Sequence, residues 1–127
     1  MKHLEDALQA SVVAALRLNP DLRVLAIPNG GKRNIMEASR LKSQGVLAGA
    51  SDLMVVWGPH AEVAFVELKA PGLINPKRPL ACLRASQLAW HGFCQLSGFN
   101  IAVCDSLDGV LEFLRDCGAP VKARLAS

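Results

Sequence analysis

The chain has 127 residues, 51% of them apolar and 20% charged, with a formal net charge of +3. That length fits one domain of the common ~100–150-residue size and argues against two, and so mild a charge excludes wholesale attraction to nucleic acid, leaving only local basic clusters. Cys82, Cys94, Cys104 and Cys117 lack the pairing or histidine spacing of a zinc site, Glu5 and Asp6 stand where a signal peptide needs its apolar run, and no stretch nears the ~20 apolar residues of a membrane span. The expectation is a soluble, cytoplasmic protein with free thiols, one domain over residues 1–118 and a tail over 119–127.

From His3 to Leu18, Leu4, Leu8, Val12, Ala15 and Leu16 recur at helical spacing until Asn19-Pro20 stops the run. Glu5 and Gln9 lie one turn apart on the flank of that stripe, where they lean over a neighbouring site or face water. For an acid in the first turn, complementarity to the helix dipole is reason enough. Arg23 to Ile27 reads as a short strand that runs into Pro28-Asn29-Gly30-Gly31-Lys32-Arg33. Beside Asn29, Gly30 and its neighbour let backbone N–H groups approach a phosphate, and Lys32 and Arg33 supply charge, although an ordinary solvated turn is written the same way. Asn34 with Glu37 resembles a capping box opening a helix through Gln44, with Met36 and Leu41 inward and Gly45 closing it.

Leu53 to Trp57 and Val63 to Leu68 are short apolar runs that read as buried strands joined by Gly58-Pro59-His60-Ala61. Closing the turn between Trp57 and Glu62 pairs Val56 with Val63, Val55 with Ala64, Met54 with Phe65 and Leu53 with Val66, which sets Asp52 opposite Glu67. Residues directly opposite on an antiparallel pair share a face, with Cβ atoms roughly 4.5–5.5 Å apart, so two like charges there require a cation. Lys69 projects from the same face as Glu67 because side chains alternate along a strand. Two carboxylates with a lysine alongside suit a hard divalent metal bound through oxygen, with an ammonium beside the reacting group. A slip of one residue would turn Asp52 away.

Ala70 to Leu83 holds Pro71, Gly72, Pro76 and Pro79 and reads as a long irregular loop. Its Lys77 and Arg78 make either a basic flap beside a phosphodiester or a plain connection. Arg84 to Ser97 returns to helical spacing, with Leu88, Phe93 and Leu96 as core contacts, Gln87 in the first turn, and Trp90 and His91 as packing and surface. Asn100 to Cys104 is a further strand, and Ser106 caps a last helix through Cys117 with Val110, Leu111 and Leu114 inward. Ala119 to Ser127 reads as a loose tail or a partner contact. The order of elements gives an α/β domain, a mixed β-sheet flanked by α-helices.

Glu5 and Gln9, Pro28-Asn29-Gly30-Gly31, Gly45 ahead of Gly49-Ala50-Ser51-Asp52, Glu67-Leu68-Lys69, and Gln87-Leu88-Ala89-Trp90 followed by Gly98 form an ordered set. That set, across residues 4 to 107, resembles the virus-type replication-repair nuclease (VRR-NUC) branch of the restriction-endonuclease-like superfamily, whose signature is Asp…Glu-x-Lys. Ser51 stands where the superfamily motif often has proline, a departure that removes no ligand. The resemblance implies a restriction-endonuclease-like core and a metal-dependent DNA endonuclease. Mg²⁺ or Mn²⁺ would be held by Asp52, Glu67, the carbonyl of Leu68 and Glu5, directly or through water. Lys69 would stabilise charge or orient the water, Gln87 would support the site, and the loop at Asn29, Gly30, Lys32 and Arg33 would lie near the nucleic acid. Small stand-alone members look like structure-selective enzymes, which implies a bacterial or phage-encoded DNA-repair endonuclease. It would act on Holliday-junction-like four-way DNA as a homodimer. Two alternatives remain: a flap or restriction-type nuclease on the same fold, or a catalytically silent nucleic-acid-binding module whose Asp52, Glu67 and Lys69 form only an ion cluster.

Overall fold

The computed structural model describes residues 2–28 and 35–122. Its elements are α1 (Lys2–Leu16), β1 (Leu22–Ala26), α2 (Ile35–Ser43), β2 (Leu53–Trp57), β3 (Glu62–Leu68), α3 (Ala85–Ser97), β4 (Asn100–Cys104) and α4 (Leu107–Asp116). Every expected element is present in the expected order, with ends displaced by one or two residues. The strands make one mixed sheet in the order β1-β2-β3-β4, antiparallel except for the parallel β3–β4 pair. That parallel pair needs a long crossover, which the 70–83 loop and α3 supply.

Alternation along the strands decides which face is dry. Leu53, Val55 and Trp57 of β2 are buried, with Met54 and Val56 half-buried between them on the other side. The buried set joins Ala64, Val66 and Leu68 of β3, Leu8, Val12 and Leu16 of α1, and Val110, Leu111 and Leu114 of α4 in one apolar cluster. Each of its Val and Leu side chains contributes about 1.5–3 kcal/mol when fully buried. Ser106 accepts a hydrogen bond from the Gly109 N–H at 3.0 Å and caps α4 as its sequence predicts. The opposite face carries α3, where Trp90 meets Phe65 edge-on at 5.2 Å between ring centroids and Phe65 meets Phe99 at 5.8 Å.

The structure differs from the sequence expectations at three places. Met36 of α2 faces water. On α3 the buried residues are Gln87, His91 and Cys94, while Leu88, Phe93 and Leu96 are exposed; the helix is turned over, and His91 is interior rather than surface. Ala119 is buried, and the Lys122 N–H donates to Asn19 Oδ1 at 2.7 Å, so the start of the expected tail docks on the turn after α1. The expected contact residues Asn29, Gly30, Lys32 and Arg33 lie outside the described residues. All four cysteines are free. No described helix is long and apolar enough to cross a membrane.

Candidate active site

The β2–β3 ladder pairs Leu53 with Val66, and the next rung outward sets Asp52 opposite Glu67, as the sequence register requires. Asp52 Oδ2 accepts from the Leu68 N–H at 2.7 Å, while the Asp52 carbonyl accepts from the Ile27 N–H at 2.8 Å. Three consecutive strands therefore fix the position of one carboxylate. In a strand the N–H and C=O of a residue point to the same side, so the Leu68 carbonyl lies on the Asp52 side of β3.

The Lys69 N–H donates to the Cys104 carbonyl at 2.9 Å, which prolongs the β3–β4 ladder and keeps Lys69 on the face of Glu67. Its Nζ lies 3.8 Å from Glu67 Oε2 and donates to Gln87 Oε1 at 3.2 Å. Gln87 Nε2 donates to the same Glu67 oxygen at 3.0 Å, and Gln87 Oε1 also accepts from the Arg84 N–H at 2.9 Å. An amide accepts from the amine and donates to the acid with one side chain, which an ionised carboxylate does not. Glu67, Lys69 and Gln87 are each more than 90% buried. Polar groups are buried at low cost when they satisfy one another, which is the reason α3 turns its polar side inward.

Gly49 holds the first turn of α3 against the loop that precedes Asp52. Its φ is +89°, and a Cβ there would collide with the Ser86 carbonyl and fall 2.9 Å from the Gln87 nitrogen. The close approach that glycine permits is thus to the backbone of α3. A second tie comes from Trp90, whose Nε1 donates to Ser51 Oγ at 2.8 Å in the interior. Ser51 and Trp90 position the site although neither was singled out for it. The available signal was a buried polar residue next to Asp52, together with an indole donor one turn beyond Gln87.

Burial, together with the charge of Asp52, pushes Glu67 up to about 8; Glu5 adds to the rise and Lys69 opposes it. Asp52 is also raised, chiefly by burial, with the Leu68 N–H working against that and Glu5 reinforcing it. Glu5, half-buried in the first turn of α1, stands within electrostatic reach of both acids. The Gln9 side chain makes no hydrogen bond among the described residues. Lys77 and Arg78 are exposed on the loop after Lys69, which is pinned by a bridge between Asn75 and Arg78 and by the Ile74 N–H donating to Asp105 at 3.2 Å.

Two buried carboxylates at one rung hold a proton near neutrality unless a cation takes its place. Their hard oxygen donors fit Mg²⁺ or Mn²⁺. Among the described residues no three His, Cys, Asp or Glu side chains group into a metal cage. Two carboxylates leave the rest of a divalent ion's oxygen shell to a carbonyl, water or substrate phosphate.

A model of one protein family, the VRR-NUC domain, matches residues 3–108, most of the chain. The chain belongs to the VRR-NUC family. No curated protein and no solved structure matches it. As a VRR-NUC domain it is a nuclease fold with DNA as its substrate class, and Glu5, Asp52, Glu67, Lys69 and Gln87 all fall inside the matched span.

Proposed function

We propose that this VRR-NUC protein is a divalent-metal-dependent, structure-selective endonuclease that hydrolyses phosphodiesters in branched DNA, with four-way junctions preferred. The observation that carries the reading is the convergence of Asp52, Glu67, Lys69 and Gln87, with Gln87 bonded to both the acid and the amine. Asp52, Glu67 and the Leu68 carbonyl would hold Mg²⁺ or Mn²⁺, with Glu5 joining directly or through water. Such an ion supplies the Lewis acidity that polarises the phosphate and acidifies the attacking water.

The protein's own groups have separate tasks. Lys69, kept in place by Gln87 and Glu67, neutralises charge that develops on the phosphate oxygens during in-line displacement or orients the water. Gln87 donates to Glu67 and accepts from Lys69, so both charged groups stay oriented. Lys77 and Arg78, together with Asn29, Gly30, Lys32 and Arg33, serve the phosphate backbone, which positions DNA without reading its sequence. Departure of the 3′ oxygen leaves a 5′ phosphate. The preference for a junction rests on symmetry, since a four-way junction has a two-fold axis and paired cuts suit a C2 homodimer.

Lys69→Ala is the sharpest single test. Loss of one such donor costs on the order of 100–1,000-fold in rate, so cleavage of a labelled junction with Mn²⁺ should fall by that factor. Wild-type speed in the variant would contradict the assignment. A panel of junction, flap, duplex and single-stranded DNA, with Mn²⁺ and with chelator, separates the junction reading from a flap or restriction-type activity.

A further inference from the structure

The aromatic rings on α3 form a short stack that begins in the interior and ends in water. Phe65, buried on β3, meets Trp90 edge-on at 5.2 Å, and Trp90 stacks on Phe93 at 5.9 Å with 28° between the ring planes. Trp90 is also tied by its Nε1 to Ser51, the neighbour of Asp52. Phe93 comes last and is 55% exposed. It is not a lone ring on the surface, because with Trp90, Leu47, Ala48, Ser86 and Ala89 it lines an open groove of ≈ 360 Å³. Sites for small molecules span ~300–1,000 Å³.

Both walls of the groove start at the acid-lysine site. Ser86 immediately precedes Gln87, which bonds Glu67 and Lys69. Ala48 immediately precedes Gly49, whose close approach to Ser86 joins the loop before Asp52 to α3. Consecutive Cα atoms are ~3.8 Å apart, so a DNA strand that brings a phosphate to Asp52 and Glu67 passes the mouth of the groove. The lining then selects which part of the DNA enters. From Ala85 to Cys104 the chain contains no Asp, Glu, Lys or Arg, and Leu47 and Ala48 are neutral. The groove thus offers no cation to a phosphate. Ring faces and methyl groups suit a nucleobase instead, which stacks on an aromatic side chain whatever the sequence. Inside a duplex both faces of a base are already covered, so only an unpaired base can lodge there. Its flanking phosphates have Arg84, exposed two residues ahead of Ser86, and Arg40 and Lys42, exposed on α2, as neighbouring cations.

We propose that this groove seats an unpaired base beside the phosphate to be cut, with Phe93 as a specificity-determining residue that stacks on it and Trp90 as the support that holds Phe93 in place. The seat rests on the branched-DNA reading and gives it a physical cause. Branch points and flaps present unpaired bases, whereas continuous duplex presents none, so one stacking contact favours the former without reading sequence.

Fluorescence anisotropy tests it with three fluorescein-labelled probes: a forked duplex, the same fork with an abasic site at each unpaired position in turn, and a fully paired duplex. Ca²⁺ replaces Mn²⁺, so that the readout is binding. Wild type should bind the intact fork about 5–150-fold more tightly than the fork whose abasic site falls at the groove, the worth of one base–aromatic stack. Phe93→Ala and Phe93→Leu should lose that factor on the intact fork and become indifferent to the abasic site. Phe93→Tyr should restore both. Leu96→Ala, at a position 93% exposed and outside the groove, should match wild type, and duplex binding should be the same in every variant. An abasic scan that is flat in wild type would overturn the proposal, as would a Phe93→Ala protein that still senses the abasic site. So would an equal loss on fork and duplex, which would make the ring a general support of the fold. Cleavage of the fork in Mn²⁺ keeps the two readings apart: a stepped scan without cleavage supports the base seat and removes the nuclease reading, whereas cleavage with a flat scan removes the base seat alone.

Discussion

The two faces of the sheet are built on different principles. Toward α1 and α4 the centre of the sheet is apolar, with Leu53, Val55, Ala64, Val66 and Leu68 dry. Toward α3 the sheet instead presents Glu67 and Lys69, which Gln87 joins by hydrogen bonds in the interior. The first face supplies stability by excluding water. The second holds mutually satisfied polar groups ready to meet a charged substrate. Mutations should separate the two, with loss of folding on one side and loss of rate on the other.

The largest rate effect belongs to Lys69→Ala, and circular dichroism should show its fold retained. On the dry face, Leu114→Ala removes a fully buried side chain and should cost about 2–5 kcal/mol in denaturant unfolding. Cleavage per folded molecule should be unchanged; a loss of rate there would erase the distinction between the faces. Gly49→Ala lies at their junction. Forcing a side chain into its left-handed backbone costs about 1–3 kcal/mol, and displacing Gln87 should slow cleavage about 10–100-fold, the usual effect of disturbing a group that orients a ligand. Rate and stability falling together would confirm that this glycine seats α3.

The acid pair also predicts a pH slope. Glu67 is raised from 4.5 to about 8 in the folded protein, so between those values the metal-free folded state keeps a proton that the unfolded chain has released. Stability is then complete below pH about 4.5 and declines as pH rises through about 8, with Asp52 shifted in the same direction. Thermal melts in chelator should show that decline, and saturating Mn²⁺ should flatten it. A metal-free protein that grew more stable over the same window would contradict the acid pair.

How much of this the sequence disclosed follows the same division. Where apolar residues meet apolar residues, periodicity was sufficient: the β2–β3 register, the capped α4 and the rung that unites Asp52 with Glu67 were all readable. α3 was misread for a physical reason. Its apolar letters lie on the outside, and a helix whose inner face is polar inverts the pattern on which amphipathicity arguments depend. Gln87 was recoverable only through family resemblance. Gly49 is visible in the sequence only as a glycine ahead of Asp52, because a local turn does not disclose which distant backbone comes close to it. Ser51 and Trp90 are 39 residues apart, beyond the reach of any spacing rule.

Calorimetric titration of Mn²⁺ into wild type and Asp52→Asn goes most directly to whether the shared rung exists to hold a cation. Binding should be measurable in wild type and absent when the second carboxylate becomes an amide. Equal heats in both proteins, or none in either, would mean that Asp52 and Glu67 are paired for some other purpose.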